Sequence, residues 1–338
     1  MNFAGQKILY LCPNFFGYEK AIQKRLEKLG GTVDFFNERP SDSVLSKGII
    51  RVKSSLYQKK IDQYYRKILN EISSKNYDFL LLIKGESVPF FFLEKFRQAN
   101  PKAVMIFYSY DAVSEYPKSE KLYPYFDQNF TFEPSDALTY NLHFRPLFFL
   151  DEYLNFKENN SVKYHISFIG SAHTDRYLVG EKVREEADKL GLKSLFYYYA
   201  PGKAAFKLKK IFDKNLQKFD SKKLSFKKLS HAEIQKIYEE SFSVLDVNKP
   251  FQSGLTMRTF EALASRKKLI TTNSDIKNYP FFSPENILIT DRKDISLNED
   301  FFENPFQKLD EKLLEKMSLD SWIECLFFQH QDQFWNFK

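Results

Sequence analysis

Apolar and polar positions along the chain form short apolar runs that alternate with longer amphipathic stretches. The runs KILYLC, YDFLLLIKG, AVMIFYSYD and HISFIG have the length and composition of buried strands. The pattern YEKAIQKRLEKLG after the first run predicts a helix, which the Gly30-Gly31 pair would end. Strands that alternate with helices predict parallel, doubly wound sheets, whose ligands bind beyond the carboxyl ends of the strands.

The chain has 338 residues, a length that favours two domains over one. The C-terminal stretch is rich in Trp, Phe and Leu, and such an apolar terminus needs a surface to cover it. The predicted organisation is a first Rossmann-like domain at 1–150, a polar linker at 151–163, a second Rossmann-like domain at 164–315 and a helical tail at 316–338 that packs on the first domain.

Composition narrows the class of protein. Hydrophobic residues make up 43% of the chain and charged residues 28%, which favours a soluble protein with ample core, and no apolar run approaches the roughly 18–20 residues of a membrane helix. The N-terminus reads as a first strand, not as a signal peptide. Cys12 and Cys325 offer neither a disulfide framework nor zinc spacing, which fits a reducing cytoplasm. The net charge of +7 suits a nucleotide, nucleic acid or an anionic membrane alike.

The rule that ligands bind beyond the strand ends selects candidate residues in the first half of the chain. The loop Asn14 to Glu19 follows the first strand, Lys84 to Glu86 follows YDFLLLIKG, and Asp111 ends AVMIFYSYD. Each of these residues is either part of a ligand site or an ordinary loop residue in water.

The stretch from Asp246 to Asn273 combines a strand end, a glycine turn, a helix and a second strand. The helix should start near Leu255, and free N–H groups at a helix N-terminus suit a phosphate. Arg258 adds a planar guanidinium group, whose N–H donors can bind two phosphate oxygens at once. An ordinary strand, loop, helix and strand with a solvated Arg and Glu is the alternative interpretation.

The glycine turn, the FEAL helix and the β-branched strand after it resemble the donor segment of GT-B glycosyltransferases, especially those of bacterial surface polysaccharide synthesis. In that superfamily the glutamate of the Glu-Ala pair contacts the donor ribose, and here it matches Glu261. The FIGS turn resembles the glycine loop that faces the donor diphosphate, with His173 and Arg176 beside it. Two positions depart from the pattern: Ser253 stands where larger retaining families have an acidic residue, and Ser265-Arg266-Lys267 replaces a small-Gly step.

The resemblance implies an α/β fold of two Rossmann-like doubly wound domains that face each other across a cleft, with a C-terminal helix that crosses back to the first domain. It implies a glycosyltransferase that moves a sugar from a nucleotide-sugar donor to a saccharide or lipid-linked acceptor in lipopolysaccharide or capsule synthesis, with no cofactor and no metal. If the reaction inverts, Asp111 is the first choice for catalytic base and Glu19 the second; if it retains, Asp111 binds the acceptor. The acceptor-binding candidates are Phe16, Gly17, Lys84 and Glu86. The donor-binding candidates are Gly170, Ser171, His173, Arg176, Gln252, Ser253, Gly254, Leu255, Thr256, Arg258 and Glu261.

Ten lysines lie between Lys203 and Lys228 with apolar residues among them. The segment is a solvated helical face, a surface that docks on an anionic membrane, or a nucleic-acid contact, and the lack of Arg clusters and aromatic RNA motifs disfavours the last. The expected location is the cytoplasm, with peripheral attachment to the inner membrane face if the membrane interpretation holds. A Walker loop, GxSxG, HExxH and DxD are all missing. The alternative functions are a non-catalytic nucleotide-sugar-binding module and a nucleotide-sugar epimerase of the same fold.

Overall fold

The structure, a computed structural model, describes residues 1–41, 44–155 and 162–335, with the backbone alone described for 44–56, 205 and 212. Residues 156–161 of the predicted linker and 336–338 of the predicted tail therefore lie outside the described residues. The chain forms two compact units. The first contains the described residues up to Pro146 together with those from Trp322 to Trp335, and the second contains the described residues from Leu147 to Ser321.

Within its described residues the first unit forms a six-stranded sheet with the order β2-β1-β3-β4-β5-β6, in which the paired strands are parallel. Its strands are β1 (Lys7–Cys12), β2 (Thr32–Asn37), β3 (Phe79–Ile83), β4 (Val104–Ser109), β5 (Gln128–Thr131) and β6 (His143–Phe144). Its helices are α1 (Tyr18–Lys28), α2 (Val44–Ile72), α3 (Phe90–Ala99) and α4 (Pro134–Tyr140). The chain adds β2 on one side of β1 and then β3 on the other, so the strand order reverses between β1 and β3.

The second unit, over the residues described, forms another six-stranded parallel sheet with the order β12-β11-β10-β7-β8-β9. Its strands are β7 (Tyr164–Ser171), β8 (Ser194–Tyr199), β9 (Leu224–Ser225), β10 (Ser241–Asp246), β11 (Lys268–Thr271) and β12 (Ile287–Ile289). Its helices are α5 (Arg176–Lys189), α6 (Lys203–Phe212), α7 (Lys214–Gln217), α8 (His231–Glu239), α9 (Met257–Ala264), α10 (Glu299–Glu303) and α11 (Glu311–Lys316). Here the order reverses between β7 and β10. The predicted α/β fold with two Rossmann-like sheets is confirmed.

The sequence pattern explains these elements. Every residue of β3, FLLLI, is buried, as expected for a parallel strand that is covered on both faces. Helix α1 buries Ile22 and Leu26 and ends before Gly30, whose φ of 95° suits glycine. Helix α8 begins with a complete capping box between Ser230 and Glu233, as the sequence predicted.

The C-terminal segment packs on the first unit, in agreement with its predicted return to that domain. The Trp322 ring lies 4.9 Å from that of Tyr108, and the Phe327 ring lies 5.0 Å from that of Phe3. The segment is not one helix, however. Helix α12 (Leu319–Glu324) passes into a π-helical turn that ends at His330, and a 3-10 turn follows at Gln333–Trp335.

The lysine-rich segment contributes to the core of the second unit. Phe206, Leu216 and Phe219 are buried, and the Phe219 ring lies 4.2 Å from that of Tyr177. Leu208 and Ile211 remain exposed, as do most of the lysines. Some of the apolar residues among the lysines are therefore core positions and are not free to contact a membrane.

Candidate functional site

The reversal between β7 and β10 marks a switch point in the second sheet. At such a point the loops after the two strands diverge, and ligands of doubly wound sheets bind there, beyond the carboxyl ends of the strands. His173 and Arg176 follow β7, while Asp246 ends β10 and the loop to α9 continues from it. The structure thus brings the predicted donor residues of both loops to one end of the sheet.

Asp246 is the centre of this site. Its carboxylate is buried, and Oδ2 accepts hydrogen bonds from the hydroxyls of Thr256 at 2.8 Å and Thr259 at 3.0 Å. The guanidinium of Arg258 lies 3.5 Å from Oδ1 and 5.6 Å from the centre of the Phe168 ring. A single carboxylate therefore fixes the start of α9 and the Arg258 side chain against the sheet.

Helix α9 begins at Met257, two residues later than predicted. Thr256 has an extended backbone and caps the helix, because its hydroxyl accepts a hydrogen bond from the Arg258 N–H. Leu255 belongs to the preceding loop, and its side chain is buried among core residues, so only its backbone could meet a donor.

Two further arginines surround the site. The Nε of Arg176 donates to the carbonyl of Val247 at 2.9 Å. Burial and the nearby Arg258 charge lower the pKa of Arg176 to about 10. Arg292 pairs with Asp175 at 2.9 Å. Among the described groups near this site, the three guanidinium groups and the ammonium groups of Lys209 and Lys249 outnumber the carboxylates of Asp175, Asp246 and Glu261, so the site carries an excess of positive charge.

His173 lies in the same electrostatic environment. Its Nε2 is 3.1 Å from Nη1 of Arg176. Burial lowers the pKa of His173 to about 2, and the positive charges of Arg176, Lys209 and Lys249 contribute to the shift. The imidazole is therefore neutral at physiological pH and could accept a hydrogen bond or donate one to an anion.

Side-chain amides hold the loop between β10 and α9. Asn248 donates to the carbonyl of Gln252 at 2.7 Å, and Gln252 donates to the carbonyl of Gly254 at 2.7 Å. Asn273, after β11, donates to the carbonyl of Ser253 at 2.9 Å. The predicted donor loop is therefore preorganised by hydrogen bonds that reach its backbone from both sides.

Glu261 lies one turn beyond Arg258 on α9 and is almost fully buried. Its Oε1 is 4.0 Å from Nδ1 of His231, the first residue of α8, and this nitrogen lies 2.8 Å from the Tyr153 hydroxyl. Tyr153 is fully buried although it falls in the predicted polar linker. Ser265 donates to the Tyr153 carbonyl, so this side of α9 is tied to the start of the unit.

Gly170 and Ser171 end β7 at the same edge. A Cβ on Gly170 would lie 2.5 Å from the ring of Phe168, the ring on which Arg258 rests. The glycine therefore makes room for that ring, and it does not adopt a left-handed conformation.

The first sheet has its own switch point, between β1 and β3, and ionised side chains gather beside it. Lys84 follows β3, and its ammonium lies 2.5 Å from a carboxylate oxygen of Asp111 and 3.1 Å from one of Glu86. Arg39, after β2, forms a buried ion pair with Glu86. Lys84 has a φ of 79° and Gly85 a φ of 74°, a sharp turn that directs the lysine toward the pair of carboxylates.

Glu38 is the buried carboxyl group of this cluster that the sequence did not indicate. Its Oε1 accepts a hydrogen bond from the Ser87 N–H at 2.6 Å, while Oε2 has no hydrogen-bond partner among the described residues. Burial raises the pKa of Glu38 to about 7; Arg39 opposes that shift and Glu86 adds to it. This carboxyl group changes its protonation near neutral pH, a property that acid–base groups share.

Glu19, the second choice for catalytic base, accepts hydrogen bonds from the backbone of its own loop. Its Oε2 accepts hydrogen bonds from the N–H groups of Phe15 at 2.9 Å and Gly17 at 3.0 Å, and the side chain is buried. The carboxylate therefore shapes the loop after β1, in which Phe16 has a φ of 55°.

No cluster of three or more His, Cys, Asp or Glu in the described part of the chain is arranged to hold a metal ion. None of the described helices is both long enough and apolar enough to span a membrane.

Comparisons with known proteins give no match to a family model and none to a curated protein. Among solved structures, the chain is similar to a putative UDP-N-acetylglucosamine 2-epimerase from Listeria monocytogenes, with 8% identity and a TM-score of 0.48 over 96% of this chain and 98% of that one. It is similar to a glycosyltransferase from Rickettsia africae ESF-5, with 13% identity and a TM-score of 0.47 over 98% and 91%. The UDP-GlcNAc 2-epimerase of Methanocaldococcus jannaschii gives 12% identity and a TM-score of 0.48 over 98% and 95%. These values place the chain in none of those enzyme families.

Sequence reasoning missed several residues of both sites. Arg292 and Asp175 are 117 positions apart, and only the fold pairs them. Tyr153 and His231 likewise come from distant segments. Asp246 had a local signal, because an acidic residue at the end of a buried strand lies where ligands of such sheets bind.

Proposed function

We propose that the protein is a glycosyltransferase that binds a nucleoside-diphosphate sugar in the second unit and transfers the sugar to an acceptor hydroxyl. The observation that carries this proposal is the excess of cationic side chains, three of them arginines, at the β7–β10 switch point. A diphosphate carries the complementary charge, and arginine binds phosphate oxygens through paired donors.

The electrostatics of the cluster favour an anionic ligand over an empty site. Arg258 lowers the pKa of Arg176, so the two cations repel each other, and Asp246 offsets only part of that repulsion. A bound diphosphate would relieve it. During transfer the same cations would stabilise the leaving diphosphate, which lets the reaction proceed without a metal ion.

Glu261 is proposed to hold the donor ribose, the role that the sequence resemblance implies. Its carboxylate is an acceptor that suits a ribose diol, and it lies on α9 one turn beyond Arg258, which would bind the phosphates. His231 lies 4.0 Å from this carboxylate, and Tyr153 contacts His231. The order of Arg258 and Glu261 along the helix thus follows the order of diphosphate and ribose in the ligand.

The first unit is proposed to bind the acceptor. Asp111 remains the first choice for the base that accepts the hydroxyl proton, and the Lys84 ammonium lies 2.5 Å from its carboxylate. Glu86 and Lys84 would orient the acceptor. Phe16 and Gly17 lie in the adjacent loop after β1.

A nucleotide-sugar epimerase is the second candidate, and the carboxyl groups of the first unit favour it. Epimerisation needs groups that remove and return protons, and Glu38, Glu86 and Asp111 gather near one switch point. A non-catalytic nucleotide-sugar-binding module would use the second unit in the same way but would turn over no donor.

A thermal-shift screen of UDP, GDP, ADP, TDP and CMP, each with and without its sugar, identifies the donor. A ligand at about 100 times its dissociation constant should stabilise the protein by ~2.7 kcal/mol. Donor consumption that depends on an added saccharide or lipid-linked acceptor supports transfer, and interconversion of free nucleotide sugars supports the epimerase. Nucleotide binding without any turnover supports the non-catalytic binding module. Failure of every nucleotide to bind contradicts the proposal.

The lysine-rich segment Lys203–Lys228 is proposed to hold the enzyme at the inner face of the cytoplasmic membrane if the acceptor is lipid-linked, as in lipopolysaccharide or capsule synthesis. Its lysines are mostly exposed, and Leu208 and Ile211 are exposed beside them. Each lysine near an anionic surface contributes roughly 1 kcal/mol. Liposome sedimentation should show binding to anionic vesicles that weakens with salt, whereas equal binding to neutral vesicles would contradict the electrostatic attachment.

A further inference from the structure

Two phenylalanine rings stand at the surface where the loop after β1 leaves the first sheet. Phe15 is 38% exposed and Phe16 is 39% exposed. Their ring centres lie 5.3 Å apart with the planes at 84°, so each ring presents a different face. The centre of the Phe15 ring also lies 5.8 Å from the ring centres of Tyr18 and Tyr110, so both tyrosines pack against Phe15.

The backbone holds these rings outward at a conformational cost. Phe16 has a φ of 55°, which is uncommon for a bulky residue. The Glu19 carboxylate stabilises this conformation, because it accepts hydrogen bonds from the N–H groups on either side of Phe16. Strain of this kind persists where the surrounding structure enforces it, and it is concentrated at ligand sites.

The polar surroundings indicate what the rings bind. Strands β1 and β3 are parallel neighbours in the first sheet, so the loops that follow them leave the same edge of that sheet, and Phe15 and Phe16 share this edge with Lys84. Tyr110, which packs on Phe15, directly precedes Asp111, the partner of Lys84. Aromatic faces and an ion pair therefore lie at the same end of the sheet.

We propose that Phe15 and Phe16 form a stacking platform for a pyranose ring of the acceptor, an inference that rests on the proposed transferase function. A pyranose has C–H groups on one face and hydroxyls around its rim. The phenyl faces suit the C–H groups, while Lys84 and Asp111 suit the hydroxyls. An acyl chain would use the rings but would offer no polar group to the neighbouring charges.

The test is a titration by saturation-transfer NMR with the methyl glycosides of glucose, galactose and mannose. The proteins are the wild type, Phe15→Leu, Phe16→Leu and the control Phe328→Leu. Phe328 is 41% exposed and its ring lies 5.0 Å from that of Phe3, which precedes β1 at the opposite edge of the sheet. The control therefore removes a comparable ring from the same unit at a distant place.

The wild type should bind at least one glycoside through its ring C–H protons. Each loop variant should weaken that binding about fivefold, since an aromatic contact contributes roughly 1 kcal/mol. Phe328→Leu should leave it unchanged. The absence of saturation transfer to every glycoside in the wild type, or equal affinity in all four proteins, overturns the platform.

Nucleotide-induced thermal stabilisation of the same four proteins measures the proposed donor site separately. Stabilisation by a nucleotide without glycoside binding would contradict the stacking platform and support the donor site. Glycoside binding without stabilisation by any nucleotide would contradict the transferase function and support a sugar-binding surface at Phe15 and Phe16.

Discussion

The two sheets share one architecture but differ in the balance of charged side chains at their switch points. In the second unit, Arg176, Arg258 and Arg292 lie close together, and burial together with nearby positive charges lowers the pKa values of Arg176 and His173. In the first unit, Glu38 and Glu86 are buried, and the pKa of Glu38 is raised. The same fold therefore carries a cluster rich in arginine at one switch point and a cluster with buried carboxyl groups at the other.

This difference shows that the fold supplies the position of a site and the side chains supply its chemistry. Both sites lie where the strand order reverses, yet their charge balances differ. Two substitutions test that contrast: one removes the central carboxylate of the cationic site, and the other neutralises the buried carboxyl group of the first unit.

Removal of Asp246 should have the largest effect. Asp246→Ala leaves Arg258 without this ion pair and removes the acceptor for Thr256 and Thr259. Loss of one partner from a buried ion pair costs about 3–5 kcal/mol of unfolding free energy, which urea denaturation measures. Asp188→Ala, which removes an exposed pair with Arg184, should cost roughly 0–1 kcal/mol. Equal losses in the two variants would show that Asp246 is not central.

Glu38→Gln should change the dependence of stability on pH. The pKa of Glu38 is raised from 4.5 to about 7, so between these values the folded protein holds a proton that the unfolded chain has released. Stability from this group is therefore lost as the pH rises from about 4.5 to 7, and the loss then stays constant. The full loss of unfolding free energy from this group is about 3 kcal/mol.

The comparison is the unfolding free energy of variant and wild type at pH 5 and at pH 8. Relative to the wild type, Glu38→Gln should be more stable at pH 8 than at pH 5. The charged groups that face Glu38 are Arg39, Glu86 and Lys84, and the substitution keeps all three. The control Glu27→Gln, an exposed glutamate on α1, should show no such trend. A difference in unfolding free energy between Glu38→Gln and the wild type that is the same at both pH values would contradict the raised pKa of Glu38.

Much of the fold could be predicted from the sequence, because central parallel strands such as β3 are continuous apolar runs with clear stop signals after them. Strands β6 and β9 have two residues each, too few to show a pattern, and both were missed. The predicted linker contains Tyr153, which is buried because it packs against His231 and Tyr238. A polar sequence context gave no sign of that contact.

The candidate sites were predicted less completely than the fold. Residues next to a strand end, such as Arg176 and Lys84, follow from the rule for doubly wound sheets. Arg292 could not be found in this way, because it comes from the loop after β12 and reaches Asp175 only in the folded chain. Glu38 could not be found in this way, because its raised pKa results from burial. A glutamate that follows a half-buried strand gives no sign in the sequence that it is buried.

The central claim, that the second unit binds a nucleoside diphosphate, is tested most directly by calorimetric titration of the nucleotide selected in the thermal screen. Arg258→Ala should weaken binding by about 1.5–3 kcal/mol, the range for hydrogen bonds that involve charge, and Glu261→Ala should lose a similar amount. Arg184→Ala removes a half-buried arginine of the same unit that pairs with Glu181 and Asp188, and this variant should bind like the wild type. Wild-type affinity in both Arg258→Ala and Glu261→Ala would contradict the claim and place the nucleotide elsewhere.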